Sequence, residues 1–167
     1  FMNNILIAIF FIITTSTYSQ QFKSVEIGVD GLTCSMCTRT TELNIRKLNF
    51  VDSVIMDLSN TNGVITFKKG SEVSLEKIAK AVYDAGFSLR YLKAEFHFDT
   101  LNLTKGLCFS YHNEQYKYVG NEDKTVTGDL KMLLIGKKFM HAKEFKKWAT
   151  STNDACVTNK KTYYVSL

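Results

Sequence analysis

Two cysteines three residues apart set the tightest local constraint on this chain. Cys34 and Cys37 lie in GLTCSMC, between an alternating apolar run that ends at Gly31 and a stretch with helical spacing that begins at the cysteines. The pattern reads as strand, tight turn, helix, with both thiols on the first helical turn. A helix N-terminus presents unpaired N–H groups and a partial positive charge, and both favour thiolate over thiol. Thiolates select soft ions, Cu(I) among them, and also zinc and mercury. Two thiolates are too few to close a structural zinc site, which takes about four ligands. An open two-sulfur clamp suits an ion that accepts low coordination and is meant to move on.

The surrounding residues supply an order of elements. Phe22–Asp30 alternates apolar and polar residues as a half-buried strand does. After the cysteines, Leu43, Ile45 and Leu48 give helical spacing to about Lys47. VDSVIMDLS reads as a second strand, TNG as a hairpin turn built on Asn62-Gly63, and VITFKK as a third strand. Ser74 then has the character of a helix cap. Leu75, Ile78, Ala79 and Val82 form one helical face, and Gly86 is the stop. A long strand from Phe87 to about Phe98 follows. The sum over residues 22–93 is β-α-β-β-α-β, the ferredoxin-like split unit.

These residues resemble the heavy-metal-associated domain of copper chaperones, copper-transporting ATPases and periplasmic mercury-binding proteins. The resemblance rests on GLTCSMC, the NGVITF hairpin, the second helix and AGFSL. It implies that Cys34 and Cys37 together ligate one soft metal ion, Cu(I) or another thiophilic ion. It also implies supporting roles for Leu32, where the family usually has a buried Met beneath the metal loop, and for Phe87, at the position that packs close to that loop.

Residues 94–167 read differently. AEFHFDTLNL, LCFSYH, EQYKYVG, TVTGDLKMLLIG, KKFMH and KTYYVSL are strand-like, and Ala142–Ser151 is the one helix, with Ala142, Phe145 and Ala149 along a face and Trp148 beside it. Many short strands with one helix imply a small barrel or curled sheet, OB-like in kind. The expected class is therefore α+β, a ferredoxin-like domain followed by a small strand-rich one. Almost no linker separates the halves, so they are expected to pack as one rigid body. Cys108 and Cys156 fall in this second half, and a structural disulfide between them is expected. The alternative is a second metal site using His97, His112, Met140 or His141, although none of these shows a tight ligand spacing. Alternating aromatics in CFSYH, YKYVG and TYYVS are read as core and edge packing, with a stacking surface for single-stranded nucleic acid as the rival.

Residues 1–19 are read as a secretory signal. Ile5–Ile13 is an unbroken apolar run, about half of what a membrane span needs, and Thr17 and Ser19 supply small residues before a mature start at Gln20. That places the protein in the periplasm or outside the cell, not membrane-spanning once the signal is removed. Charge is balanced: residues 22–93 carry ten Lys/Arg against eight Asp/Glu, and residues 94–167 carry eleven against eight. Neither half has the clustered basic face of a nucleic-acid binder. The function implied is an exported soft-metal carrier or scavenger, a monomer and not an enzyme, exchanging its ion with a transporter or another carrier. Two other readings stay open: a thiol-disulfide redox protein using the same pair, and a metal-dependent interaction module.

Overall fold

The computed structural model describes residues 21–157 and 160–167, so the apolar run and the cut expected near Gln20 lie outside the described residues. The first half folds as β1 (Val25–Asp30), α1 (Ser35–Arg46), β2 (Val51–Asp57), β3 (Asn62–Phe67), α2 (Leu75–Asp84) and β4 (Ser88–Leu103). The second adds β5 (Cys108–Tyr111), β6 (Glu114–Tyr118), β7 (Lys124–Ile135), α3 (Ala142–Trp148) and β8 (Thr162–Ser166). Strand order is β2-β3-β1-β4-β7-β8-β6-β5 in one sheet of eight strands. The first four of these, with α1 and α2, are the ferredoxin-like unit.

Alternation puts Val25, Ile27 and Val29 of β1 and Leu92, Ala94 and Phe96 of β4 on the core face, all fully buried. The two helices cover that face. α2 contributes Leu75, Ile78, Ala79, Ala81 and Val82, and Ser74 caps it by accepting from the Lys77 N–H at 3.3 Å. α1 departs from expectation. Its buried positions are Thr41 and Ile45, and Leu43 is exposed. The inward stripe runs Cys37, Thr41, Ile45 at steps of four, which leaves Leu43 on the outer side.

The β2–β3 hairpin forms, but its turn lies ahead of Asn62-Gly63. The Asp57 carboxylate accepts from the backbone N–H groups of Ser59 and Asn60, and Thr61 takes the left-handed conformation with φ 49°. Asn62 and Gly63 are already paired strand residues. A Cβ at Gly63 would sit 2.4 Å from Met56 Sδ, so the Met56 side chain would have to move to admit one.

The second half extends the sheet; the strand order does not describe the separate barrel-like or OB-like body expected for residues 94–167. β4 is 16 residues long and runs across the boundary expected between residues 93 and 94. Its first part pairs with β1 and its length from Lys93 to Leu103 pairs antiparallel with β7. β8 then joins β7 on one side and lies parallel to β6 on the other. KKFMH (137–141), expected as a strand, is a turn: Phe139 N–H donates to the Gly136 carbonyl at 2.9 Å, and the adjacent Phe139 and Met140 are both buried, which a strand with opposite-facing neighbours would not allow without cover on both faces. α3 ends at Trp148, where the chain turns through bonds from Ser151 and Thr152 back to the Trp148 carbonyl.

One apolar core spans both halves. Phe96 is its hub, with ring centroids 5.1 Å from Phe22, 4.9 Å from Tyr111 and 5.2 Å from Tyr116. The opposite face of the sheet carries polar pairs across β1, β4 and β7: Lys131 and Tyr91 on Glu26, Lys23 and His97 on Asp129. Toward β8 that face is covered by α3, where Phe145 and Trp148 pack against a small cluster of Val119, Ile135 and Met140. Among the described residues no helix is long and apolar enough to cross a membrane.

Candidate metal centre

The strand-to-helix turn works as the residue types demand. Gly31 takes φ +89°, which lets β1 turn sharply, and a Cβ placed there would lie 3.3 Å from the Phe87 ring. Leu32 points inward and is buried beneath the loop. Phe87 is half-buried against the core from the side of α2 and β4. Leu32 is thus buried next to Gly31, and the Phe87 ring lies beside that glycine.

Cys34 is the cap of α1. Its backbone is extended, and its Sγ accepts from the Cys37 N–H at 3.3 Å. Cys37 occupies the third helical position, half-buried and packed on the core, while Cys34 is exposed. Their sulfurs face each other at 2.6 Å. The first turn of α1 contains no acidic residue, so its partial positive charge stays available to the sulfurs. The Cys34 thiol beside it holds Cys37 below the usual thiol range; burial works the other way, and Thr33 and the Cys34 backbone assist the lowering. The two sulfurs form one soft ligand pair, with Cys34 exposed and the Cys37 thiol the one that is lowered.

Two residues absent from the sequence-level site tie this turn to the helix. Thr38 Oγ1 donates to the Cys34 carbonyl at 3.2 Å, and Thr41 Oγ1, fully buried, donates to the Cys37 carbonyl at 3.1 Å. The signal was available: each threonine stands four residues after a cysteine, within reach of that carbonyl.

The heavy-metal-associated domain family matches residues 26–88. The chain is 34% identical over 65 residues to the mercuric transport protein periplasmic component of Pseudomonas fluorescens, an overlap of 39% of this chain and 70% of that one. The chain belongs to the heavy-metal-associated domain family. It is also 30% identical over 64 residues to copper chaperone CopZ of Staphylococcus haemolyticus (strain JCSC1435), covering 38% of this chain and 93% of that protein. Against copper-transporting ATPase 1 of Rhizobium meliloti (strain 1021) it is 33% identical over 69 residues, 41% of this chain but only 8% of the ATPase. The strands from β5 onward lie beyond the family match.

The other sulfurs and imidazoles are elsewhere. Cys108 and Cys156 are bridged, with Cα atoms 6.0 Å apart, joining β5 to the segment before β8. The second metal site weighed as the alternative is not assembled, for among the described residues no three His, Cys, Asp or Glu side chains converge. His97 Nδ1 pairs with Asp129 at 2.7 Å on the polar face of the sheet. His112 sits in a left-handed turn against the Tyr111 ring. His141 caps α3, accepting from the Lys143 N–H at 3.3 Å, while Met140 before it is buried. The aromatics of CFSYH and YKYVG pack largely inward; Phe109, Tyr116 and Tyr118 are buried.

Proposed function

We propose that this chain carries or scavenges a soft metal ion, Cu(I) first among the candidates, as cargo held by Cys34 and Cys37. The observation that supports it is the placement of the pair: two facing thiols on the first turn of one helix, Cys34 exposed and Cys37 partly so, in a heavy-metal-associated domain. Low ligand number and soft donors favour Cu(I) over harder ions. Transfer proceeds by ligand exchange, a partner's thiolates replacing those of Cys34 and Cys37 one at a time, with no change in oxidation state. The partner is a metal-exchanging protein, a transporter or a second carrier, and no reaction is catalysed. The work is done outside the cytoplasm, a reading supported by the bridged Cys108–Cys156 pair and by a relative named as a periplasmic component.

Anaerobic titration of the reduced protein against a competing Cu(I) chelator is the test, with elemental analysis of the native protein beside it. About one tightly held Cu(I) per chain is expected. Unchanged tight binding in the C34S/C37S variant would end the assignment.

The short sulfur–sulfur distance also favours a second reading, in which the pair closes to a disulfide and exchanges electrons with other thiols. Turnover of a disulfide substrate in the presence of glutathione would support it, and catalytic silence would remove it.

A further inference from the structure

A cleft of about 660 Å³ opens on the polar face of the sheet, within the size range of small-molecule sites and separate from the metal turn. One wall is the sheet, where Tyr91 and Lys93 of β4 stand beside Leu133 of β7. The other is α3, which brings Glu144, Lys147 and Trp148. Lys105, on the turn after β4, closes one end; that turn is anchored by the Gly106 N–H on the Tyr118 carbonyl at 2.9 Å. The floor is apolar, made by Val119, Leu133 and Met140.

The charge of the lining is one-sided. Glu144 is its sole carboxylate, and Lys147 already holds it at 2.7 Å. Arg90 also lines the cleft but spends its guanidinium on Asp30, Thr61 and the Asn60 carbonyl. Lys93 and Lys105 make no ion pair among the described residues. Glu26, which feels Lys93, is taken by the Tyr91 hydroxyl and Lys131. The Lys93 ammonium lies instead 5.2 Å over the Tyr91 ring. Two ammonium groups held in no direct ion pair thus border an apolar floor set between a tyrosine and a tryptophan. That combination selects an anion carrying a flat unsaturated body: the charge goes to the lysines and the ring goes to the aromatics and the floor.

We propose that this cleft binds a small planar organic anion, an aromatic carboxylate or its sulfonate or phosphate equivalent. The site depends on the extension. Trp148, Lys147 and Lys105 come from the strands and helix beyond the family match, while Tyr91 and Lys93 lie on the strand shared by both halves. Binding here is independent of the cargo reading, because none of the lining residues belongs to the metal turn.

Trp148 is the single tryptophan of the chain and lines the cleft, so its fluorescence reports occupancy directly. The full-length protein is titrated with 2-naphthoate, with its neutral counterpart 2-naphthylmethanol, and with acetate. Saturable quenching by 2-naphthoate is expected, at least tenfold tighter than by the alcohol, weakened by salt and not reproduced by acetate. The K93A/K105A variant should lose at least tenfold in naphthoate affinity while keeping its far-ultraviolet dichroism, melting temperature and Cu(I) titration. Equal binding of the alcohol, or full naphthoate affinity in K93A/K105A, would overturn the proposal by leaving only an apolar hole. Saturable displacement of naphthoate by an acidic peptide lacking aromatic residues would overturn it in favour of a protein partner.

Discussion

Residues 22–93 and 94–167 use one sheet but hold themselves together by different means. The first half has two amphipathic helices laid on the core face and needs no covalent tie. Among the described residues the second half has only α3, a helix of seven residues with none buried, and that helix lies on the opposite face. Its strands rely on an aromatic cluster, on the long β4–β7 ladder and on the Cys108–Cys156 bridge. The difference teaches that the extension is no independent copy of a small domain. It borrows the free edge of β4 from the first half and in return covers the aromatic end of the core.

The widest gap between the halves is chemical. C34S/C37S is expected to lose at least a thousandfold in Cu(I) affinity by chelator competition, with little change in melting temperature, since Cys34 is exposed and Cys37 only partly buried. A comparable loss on changing Cys108 and Cys156 would break the division between a binding half and a structural half.

Phe96 tests whether the halves are one cooperative body. Its ring joins Phe22 of the first half to Tyr111 and Tyr116 of the second. F96A should cost about 3–5 kcal/mol and shift a single calorimetric transition. Two separated transitions, with only one moving, would show that the halves unfold alone.

The bridge comes next. Cys108 and Cys156 are 48 residues apart, and C108A/C156A should cost about 2–4 kcal/mol by urea unfolding. Thiol counting on the folded, metal-free, reduced-then-reoxidised protein sharpens the same point. Under reduction mild enough to leave that bridge closed, the reactive sulfurs should be those of Cys34 and Cys37.

The smallest effect reads the polar seam between the halves. Glu76 on α2 pairs with Lys161 and, at 3.3 Å, with Lys138, both from the extension. Lys161 first, then Lys138, holds the Glu76 carboxyl below the usual carboxylate range, against some desolvation. A lowered carboxyl stabilises the fold fully above its unfolded pKa and loses that contribution as pH falls through the folded value. The lysines are more than half exposed, so E76Q should cost at most about 1 kcal/mol at neutral pH. The gap from the parent should shrink as pH falls below the ordinary carboxylate range and close once Glu76 is protonated in the fold. A gap that persists in acid would mean Glu76 acts by packing.

Much of the first half was legible because each local signal agreed with its neighbours. Val25, Ile27 and Val29 alternate, Ser74 caps, Gly86 stops, and Cys34 and Cys37 sit where a helix must begin. Where the reading failed, a competing local interaction had won. Asp57 captured the hairpin turn ahead of Asn62-Gly63, and the steps of four from Cys37 through Thr41 to Ile45 turned Leu43 outward. In KKFMH the apolar pair Phe139-Met140 suggested a strand, yet both side chains found cover, Phe139 in the main core and Met140 under α3.

By itself the sequence determined the metal turn, since the thiols, the glycine before them and the helix after them are contiguous and their chemistry is local. It also determined that most of the second half would be strands. Which strands would be neighbours was decided only by the tertiary structure. A period of two says which side chains share a face, and it is the same whether a strand closes a barrel or adds to an edge. What chose the edge was a 16-residue β4 whose far side lay open to β7, together with an aromatic core that Phe22, Phe96 and Tyr116 could complete only by meeting across the boundary.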